Sequence, residues 1–581
     1  MDRQAWIAVT ICVLGLVGWQ VYMSRHAPQV VTPPTVALSP SPSATEAAPL
    51  APAPTPAAVP PAESAATPAA ESFAEKTEVI ANGDIELRLT NRGGGVSEAH
   101  LLKHTADTPE GHVVLNSREH LPIGAIIEHP TAPALAEFTM ARQPDGSVQL
   151  ERAEPQGLAI RKRFALPQSQ DRKDNYLAEM QVEFRNDGTQ PYTNPGYYFA
   201  LGATAPLHPR DIAAYTRAVW CIDGKPKAID VSWFAASNYP LIGVQKRAAQ
   251  KFYDEGVNGA EWGAVSNQFF TTILTPLNAK ANRMWAQRFE IPQENAASLW
   301  GMESAMGMPG FTLQPGQTSS LTVQMYSGPK LYHELAKLGH DEAEIMNFGF
   351  FKLVSQALLN FLNLIHGWVK SYGVAIILLT ACVKGVLWPL QNAANRSMRK
   401  MSALAPRMQA LKEKYKDDPT RMNTEVMKLY KEHGVNPVGG CLPMMIQIPI
   451  FFGLFSMLGQ AAELRNAGFL WVHDLSQPDT IAHLPGIGWP INILPLLMGA
   501  TNVWLMRMTP KTGDTTQQRV MMFMPIIFLI FCYNFAAALA LYYTTQNLFT
   551  ILQLWQNQRQ PVPVLEKPAP VTKRSKKGAR S

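Results

Sequence analysis

A lysine stands inside an apolar run about as long as a bilayer is thick. The run is Tyr372 to Leu390, YGVAIILLTACVKGVLWPL, and the lysine is Lys384. About 20 apolar residues cross the hydrocarbon core as a helix. At roughly 1.5 Å per residue, Lys384 lies about 18 Å from Tyr372, past the midplane. A lone ammonium there costs between about 3 and over 10 kcal/mol, so such a charge faces water, a partner or a polar cavity. The other apolar runs offer no obvious carboxylate to pair with it. The run therefore implies a wet, positively charged pocket inside a membrane.

The chain is long enough for several domains, and its mean hydropathy near zero hides a soluble-like half and a membrane half. Residues 1–26 carry the apolar stretch Trp6 to Met23 with no cleavage-like site after it, which reads as an uncleaved transmembrane anchor. Residues 27–72 hold twelve of the 46 prolines and predict a disordered, polyproline-like tether. Residues 73–329 read as an all-β domain. Tyr176, Ala178, Met180, Val182 and Phe184 alternate with their neighbours as a half-buried strand does, and Gly93-Gly94-Gly95 and Asn186-Asp187-Gly188 mark turns. A large sandwich follows from many short strands. Residues 330–367 predict an amphipathic helix, lying on the membrane or packed under the β domain. Residues 368–558 form the membrane core. Five cysteines without a CxxC spacing argue against a disulfide framework or zinc site.

Four more apolar runs follow Lys384: Val438 to Gly459, Trp489 to Met508, Val520 to Tyr533 and Ala536 to Leu554. With the anchor they make six spans. Arg396 to Lys431 carries ten Lys or Arg, Arg507 to Arg519 three more, and the basic tail 559–581 many, whereas Leu464 to Pro490 carries only Arg465. The positive-inside rule then puts both termini in the cytoplasm and the β domain outside. An outward domain on a tether implies a periplasm and hence a cell inner membrane.

The basic stretch 396–434 reads as a cytoplasmic hairpin of two helices, Ser397 to Tyr415 and Thr420 to His433, with Asp418 as N-cap and Pro419 first. Met398, Met401, Met408, Met422 and Met427 decorate it. They either fill the hairpin's own seam or present an adaptable surface to clients and partners. Within the spans, Thr380, Gln447, Asn502 and the cluster Tyr542 to Asn547 are polar. Such groups commonly glue helices together; a cation among uncharged neighbours asks for a hydrated groove.

The motifs from Tyr372 to Phe451 closely resemble the YidC family of membrane protein insertases. They are Val383-Lys384-Gly385, Trp388-Pro389-Leu390, Ser397-Met398-Arg399-Lys400-Met401, Leu411 to Tyr415, Asn436-Pro437, Gly439-Gly440-Cys441-Leu442-Pro443 and Gln447-Ile448-Pro449-Ile450-Phe451. Trp471 to Leu475 and Leu541-Tyr542-Tyr543 extend the match, and Tyr326 to Leu335 is similar to the family's junction between outer domain and core. Arg92-Gly93-Gly94-Gly95 and Asn267 to Phe270 carry it more weakly. The resemblance implies a β-supersandwich and an insertase groove at Lys384, Thr380, Gln447, Ile448, Pro449, Phe451, Phe531, Tyr542 and Tyr543. The family's groove cation is usually arginine, and Ala536-Ala537-Ala538 stands where a Pro-Ser-Gly turn is common. The implied activity is helping transmembrane segments of new proteins enter the membrane, without a cofactor. Implied partners are nascent membrane proteins, the Sec translocon and membrane lipids; the charge of the basic tail, Lys573 to Arg580, suits either ribosomal RNA phosphates or a solvated place near anionic lipid.

The fold class expected is thus a multi-domain membrane protein with an α-helical core, an all-β periplasmic domain and a helical hairpin. A small-solute transporter or channel is the alternative, since it too uses an intramembrane lysine; the two halves show no self-similarity of the kind transporters often carry. No GxGxxG, Walker A, HExxH or GxSxG signature points to an enzyme. His100 and His104 supply too few ligands for a metal.

Overall fold

Alternation builds the first half of the chain. The computed structural model describes residues 73–560, apart from 107–110, 132–134, 169–173, 239–244, 294–296, 436–441, 487 and 510–514. The expected anchor and tether, the tail from 561, and the motif residues Asn436-Pro437 and Gly439 to Cys441 lie outside the described residues. In the strand Leu177–Asn186 the inward positions Met180, Val182 and Phe184 are buried while Glu179, Gln181 and Arg185 are exposed. This strand sits within a nine-stranded antiparallel sheet that runs from Lys225–Asp230 at one edge to Thr139–Arg142 at the other. A five-stranded sheet lies against it, with Tyr192–Thr204 and Leu299–Leu313 as long neighbours. A four-stranded sheet, Thr77–Ala81 to His112–Leu115, completes the domain. Phe199, Leu201, Trp262 and Met306 are sealed from solvent in the shared core. The two layers touch so closely at Gly263 that a Cβ there would lie 3.1 Å from the Leu201 side chain.

One buried cation holds a turn of this domain. Lys162 occupies an inward position of the strand Leu158–Ala165 and has no exposed surface. Its ammonium donates to Gly94 O at 2.6 Å, Gly124 O at 2.9 Å and Gly93 O at 3.3 Å, and lies 5.0 Å from the Phe138 ring centre. Gly93 and Gly94 have φ of +70° and +59°, a left-handed pair that costs glycine little. Burial pushes the amine's pKa down, and three carbonyls, one for each N–H, pull the other way.

Apolar helical faces build the second half. A segment of short turns leads from Pro329 to α1 (Lys352–Val369). Its Leu358, Leu359, Leu362 and Ile365 are buried, while Leu353, Leu364 and Trp368 are exposed on the opposite side. Then come α2 (Tyr372–Lys414), α3 (Pro419–Glu432), α4 (Leu442–Leu458), α5 (Ile493–Met508), α6 (Thr515–Cys532) and α7 (Ala537–Gln558). The expected helix Ser397 to Tyr415 is no separate element. It continues the Lys384 helix, and α2 is one rod of 43 residues with Pro389 and Pro406 inside it. Each proline removes a single donor, and the neighbouring hydrogen bonds carry the helix through. Asp418 caps α3 through its side chain, with Pro419 at the first turn, as the sequence predicts. The run Trp489 to Met508 also differs: Pro490–Asn492 pairs as a strand with Thr480–His483, and the helix begins at Ile493, whose neighbour Leu494 donates its N–H to Asp479 Oδ2 at 2.7 Å. Among the described residues α2 contains the stretch long and apolar enough to cross a membrane, and Met445–Leu458, Ile493–Met508 and Phe523–Cys532 are shorter apolar helices.

The stretch Ala536 to Ala538 starts α7 against the loop after α4. Ala537 N donates to Gln477 O and Ala538 N to Leu475 O, both at 2.9 Å, so two N–H groups that a helix start leaves free are satisfied by backbone. Both alanines are fully buried.

The same loop docks on the β domain. Arg465 donates to Thr105 O at 2.6 Å, Asn466 to Thr105 Oγ1 at 2.6 Å, Gln477 to Asp211 Oδ1 at 3.1 Å, and Arg217 to Gln460 Oε1 at 3.3 Å. His104 stands beside this seam, 3.1 Å from Tyr176 OH and edge-on to Phe270. Burial, and then the Arg465 guanidinium, push its pKa down from 6.5 to about 4. The folded state thus keeps His104 neutral, whereas the unfolded chain takes up a proton below pH 6.5. Stability contributed by this site is therefore intact above pH 6.5 and declines as pH falls toward 4. Full sequestration would make the loss about 3 kcal/mol, and the ring's partial exposure brings the expected value to about 1–2 kcal/mol. Thermal melts at pH 7 and pH 4.5 should show a smaller drop for His104→Gln than for the wild type; equal drops would remove His104 from the account.

Candidate functional site

The face where α2, α4 and α7 meet collects the polar groups of the helical half. Five apolar helices, α4 to α7 and the first part of α2, bring no Asp or Glu to it. Lys384 is 5% exposed, and its Nζ donates to Thr550 Oγ1 at 2.9 Å. The Thr550 hydroxyl in turn donates a hydrogen bond to Gln546 O, one turn back, at 2.8 Å. Among the described residues no carboxylate pairs with the ammonium. It neither reaches out along the helix surface nor sits locked against an acid. It is more enclosed than the open, wet pocket expected from sequence, being buried at the α2–α7 contact with Thr550 as its partner.

Gln447 on α4 is the second polar element. Its Nε2 donates to Gln546 Oε1 at 2.8 Å and to Tyr542 OH at 3.1 Å. Tyr542 is 2% exposed. The two networks meet at Gln546 of α7, whose backbone oxygen accepts from Thr550 and whose side chain accepts from Gln447. Asn547, on the next face, donates to Thr501 Oγ1 of α5 at 3.1 Å and ties α7 to its other neighbour. Thr380 is brought near in sequence but not in bonding: its hydroxyl returns to Ile376 O at 2.7 Å within its own helix.

An aromatic patch borders the polar face. Phe451 lies 5.5 Å from Tyr543 and 6.1 Å from Phe528 between ring centres, and Phe528 and Tyr543 are 5.0 Å apart. Phe531 packs on Phe535 at 5.1 Å, and Phe535 on Phe455 at 5.3 Å. Pro449 stands inside α4, and Ile448 beside it is half-exposed. The site thus offers one enclosed cation, a carboxamide bridge and an aromatic wall.

The methionines of the α2–α3 hairpin divide. Met408 is buried with Leu404, Tyr430 and Val435, and Tyr430 OH reaches its sulfur at 2.9 Å; Met401 packs on the same cluster. Those two fill the seam. Met398 and Met422 are half-buried, and Met427 is the exposed one of the five.

Sequence reasoning missed Thr550, Phe528, Asn392 and Gln553. The signal for Thr550 and Gln553 was present: residues 542, 546, 550, 553 and 557 are all polar and fall on one helical stripe.

Comparison with known proteins accounts for most of the chain. Residues 78–361 match the family model described as the YidC periplasmic domain, and residues 364–562 the one described as 60Kd inner membrane protein. A membrane protein insertase YidC of Pelobacter propionicus is 38% identical over 309 residues, 53% of this chain and 55% of that protein. The chain thus spans about half the length of that relative. The protein of the same name from Cupriavidus necator is 30% identical over 491 residues, covering 83% of this chain and 82% of the relative. Among solved structures, an active YidC insertase with its first transmembrane domain resolved has a TM-score of 0.34 at 18% identity, covering 84% of this chain and 94% of that one. A putative aldose 1-epimerase from Escherichia coli has a TM-score of 0.26 at 10% identity, over 44% of this chain and 99% of its own. The chain belongs to the YidC family of membrane protein insertases.

Proposed function

We propose that this chain inserts transmembrane segments of newly made proteins into the cell inner membrane and assists their folding there. The observation that carries the reading is Lys384, enclosed among helices that bring no acid to it, with Thr550 as its hydrogen-bond partner. A cation left uncompensated by its own protein is free to attract an acidic or polar tail from a client. The groove positions are Lys384, Thr380, Gln447, Ile448, Pro449, Phe451, Phe531, Tyr542 and Tyr543. The polar members shorten the dry path for the tail, and the aromatic members meet the client's apolar segment. Entry of about 20 apolar residues at roughly −0.3 to −0.6 kcal/mol each supplies several kcal/mol. The membrane potential adds about 2.3 kcal/mol per charge per 100 mV for acidic tails moving outward. No nucleotide is needed.

The arrangement in the membrane follows from charge. Six spans, with both termini and the α2–α3 hairpin in the cytoplasm and the β domain outside, agree with the distribution of Lys and Arg. The domain limits given by the sequence belong to this reading. Met427, with the half-buried Met398 and Met422, is the part of the hairpin left to touch clients or partners; Met401 and Met408 serve its seam. The Sec translocon, the ribosome and lipids are the partners of this scheme.

Purified protein in lipid vesicles, without nucleotide, should carry the acidic tail of a one-segment client across the bilayer, read by protection from protease. Insertion no faster than in protein-free vesicles would end the reading, and flux of small solutes in its place would favour a transporter. An enzyme in the β domain has less support. Its His120 and Glu303 lie 3.8 Å apart, but the Glu303 carboxylate already accepts from Leu121 N and Gln287 Nε2.

A further inference from the structure

One stripe of α7 is polar from Tyr542 onward, meeting α4 through its first two members and α2 through the rest. Tyr542, Gln546, Thr550, Gln553 and Asn557 follow one another at the spacing of a single helical stripe. Beyond the Lys384–Thr550 bond the stripe becomes a ladder of carboxamides. Gln553 Nε2 donates to Asn392 Oδ1 at 2.8 Å and to Trp388 O at 3.2 Å. Asn557 Nδ2 donates to the same Asn392 oxygen at 3.1 Å. Arg399 closes the series with bonds to Asn557 O at 2.6 Å and Gln560 O at 2.8 Å.

The Gln553 amide has one possible orientation. The Trp388 carbonyl can only accept, so the Gln553 nitrogen points toward it, and Asn392 then turns its oxygen to the same nitrogen. That leaves Gln553 Oε1 buried, on a side chain 1% exposed, without a hydrogen-bond partner. Gln391, next to Asn392 on the facing helix, carries a second buried carboxamide oxygen in the same condition. A buried acceptor left unmade is costly, and two beside one seam mark a place built for donors from outside.

We propose that the α2–α7 carboxamide ladder binds the backbone of a client's polar tail, with Gln553 Oε1 and Gln391 Oε1 accepting peptide N–H groups. A side-chain carboxamide has the chemistry of a peptide group. An extended peptide entering the seam therefore exchanges one amide hydrogen bond for another and leaves no group unpaired on the way in. No charge on the tail is required. Two jobs separate along one face: Lys384 responds to the tail's charge, and the ladder holds its backbone whatever the sequence. This rests on the insertase reading above.

The test removes the N–H from the client. A set of neutral-tailed clients is made, each with one tail peptide bond replaced by an ester, and their insertion into vesicles containing the full-length protein is timed. In the wild type, esters at one or more tail positions should slow insertion about fivefold, the equivalent of one hydrogen bond of about 1 kcal/mol. With Gln553→Met, which keeps the side chain's length, the all-amide client should fall to the rate of the ester client whose ester faces Gln553, and an ester at that one position should make no further difference. If Gln553→Met does not fold, the same comparison in Gln391→Met decides. Equal rates for ester and amide clients in the wild type, or an ester penalty unchanged in the variant, would overturn the proposal. Should that happen while Lys384 still distinguishes acidic from neutral tails, the ladder fails and the insertase reading stands. If no client inserts above the protein-free rate, the reading itself fails.

Discussion

Lys384→Leu should lower the insertion of acidic-tailed clients about tenfold or more while leaving the protein folded. The first half of that expectation comes from electrostatics. A carboxylate about 4 Å from the ammonium gains about 4 kcal/mol at an effective dielectric of about 20. Desolvation of both charges takes back part of it, and a net 1.4 kcal/mol or more is at least tenfold in rate. The second half comes from packing. Lys384 is 5% exposed with a single hydrogen bond to Thr550, and exchanging a buried unpaired charge for an apolar side chain of similar size is usually neutral or stabilising. Lys384→Arg should retain most of the activity, because it keeps the charge and can still reach Thr550. Lys384→Gln should fall between, keeping a donor without the charge. Clients with neutral tails should lose little. The measurement is protease protection of acidic and neutral tails in vesicles, and an acidic-tailed client inserted at the wild-type rate by Lys384→Leu would remove the cation from the mechanism.

The second large effect concerns the β domain. Lys162→Met should destabilise it by about 3 kcal/mol or more, a fall of roughly 6–12 °C in melting temperature for a domain of this size. Methionine fills nearly the same space, so the loss is not a cavity. It is the desertion of three carbonyls, Gly93 O, Gly94 O and Gly124 O, which accept from this ammonium in a site closed to water. Each buried acceptor left bare costs about 1–3 kcal/mol. The turn at Gly93 and Gly94 has no easy way to move aside, since a Cβ on Gly94 would already lie 2.8 Å from the Phe138 ring. Calorimetry of the full chain in detergent reads the result. A transition of the β domain displaced by less than about 1 kcal/mol would mean that water, not lysine, serves those carbonyls.

Legibility in the sequence followed contrast. Lys384 stood out because everything around it is apolar, and Gln447 and Tyr542 for the same reason; the structure brings all three to one helix, α7. Thr550, Asn392 and Gln553 were overlooked because a neutral polar residue near the end of a run looks like ordinary helix surface. Lys162 was overlooked in a different way. The phase of Leu158, Ile160 and Phe164 places residue 162 inward, so the strand pattern held the clue, but a lysine among Arg161 and Arg163 reads as a charged face. The break expected between the Lys384 span and the helix Ser397 to Tyr415 is absent, because nothing in the basic stretch after Leu390 ends the hydrogen-bond ladder and the helix runs on for 43 residues. The seam between the β domain and the loop after α4 could not be read at all. Thr105 and Arg465 are 360 positions apart, and nothing local in either announces the other.

The unbroken α2 has a mechanical meaning. Lys384 and the tip of the hairpin belong to one continuous helix, separated by 30 residues or at most about 45 Å. A displacement imposed at the hairpin tip would therefore have a continuous backbone route to the charged centre, with no loop between them.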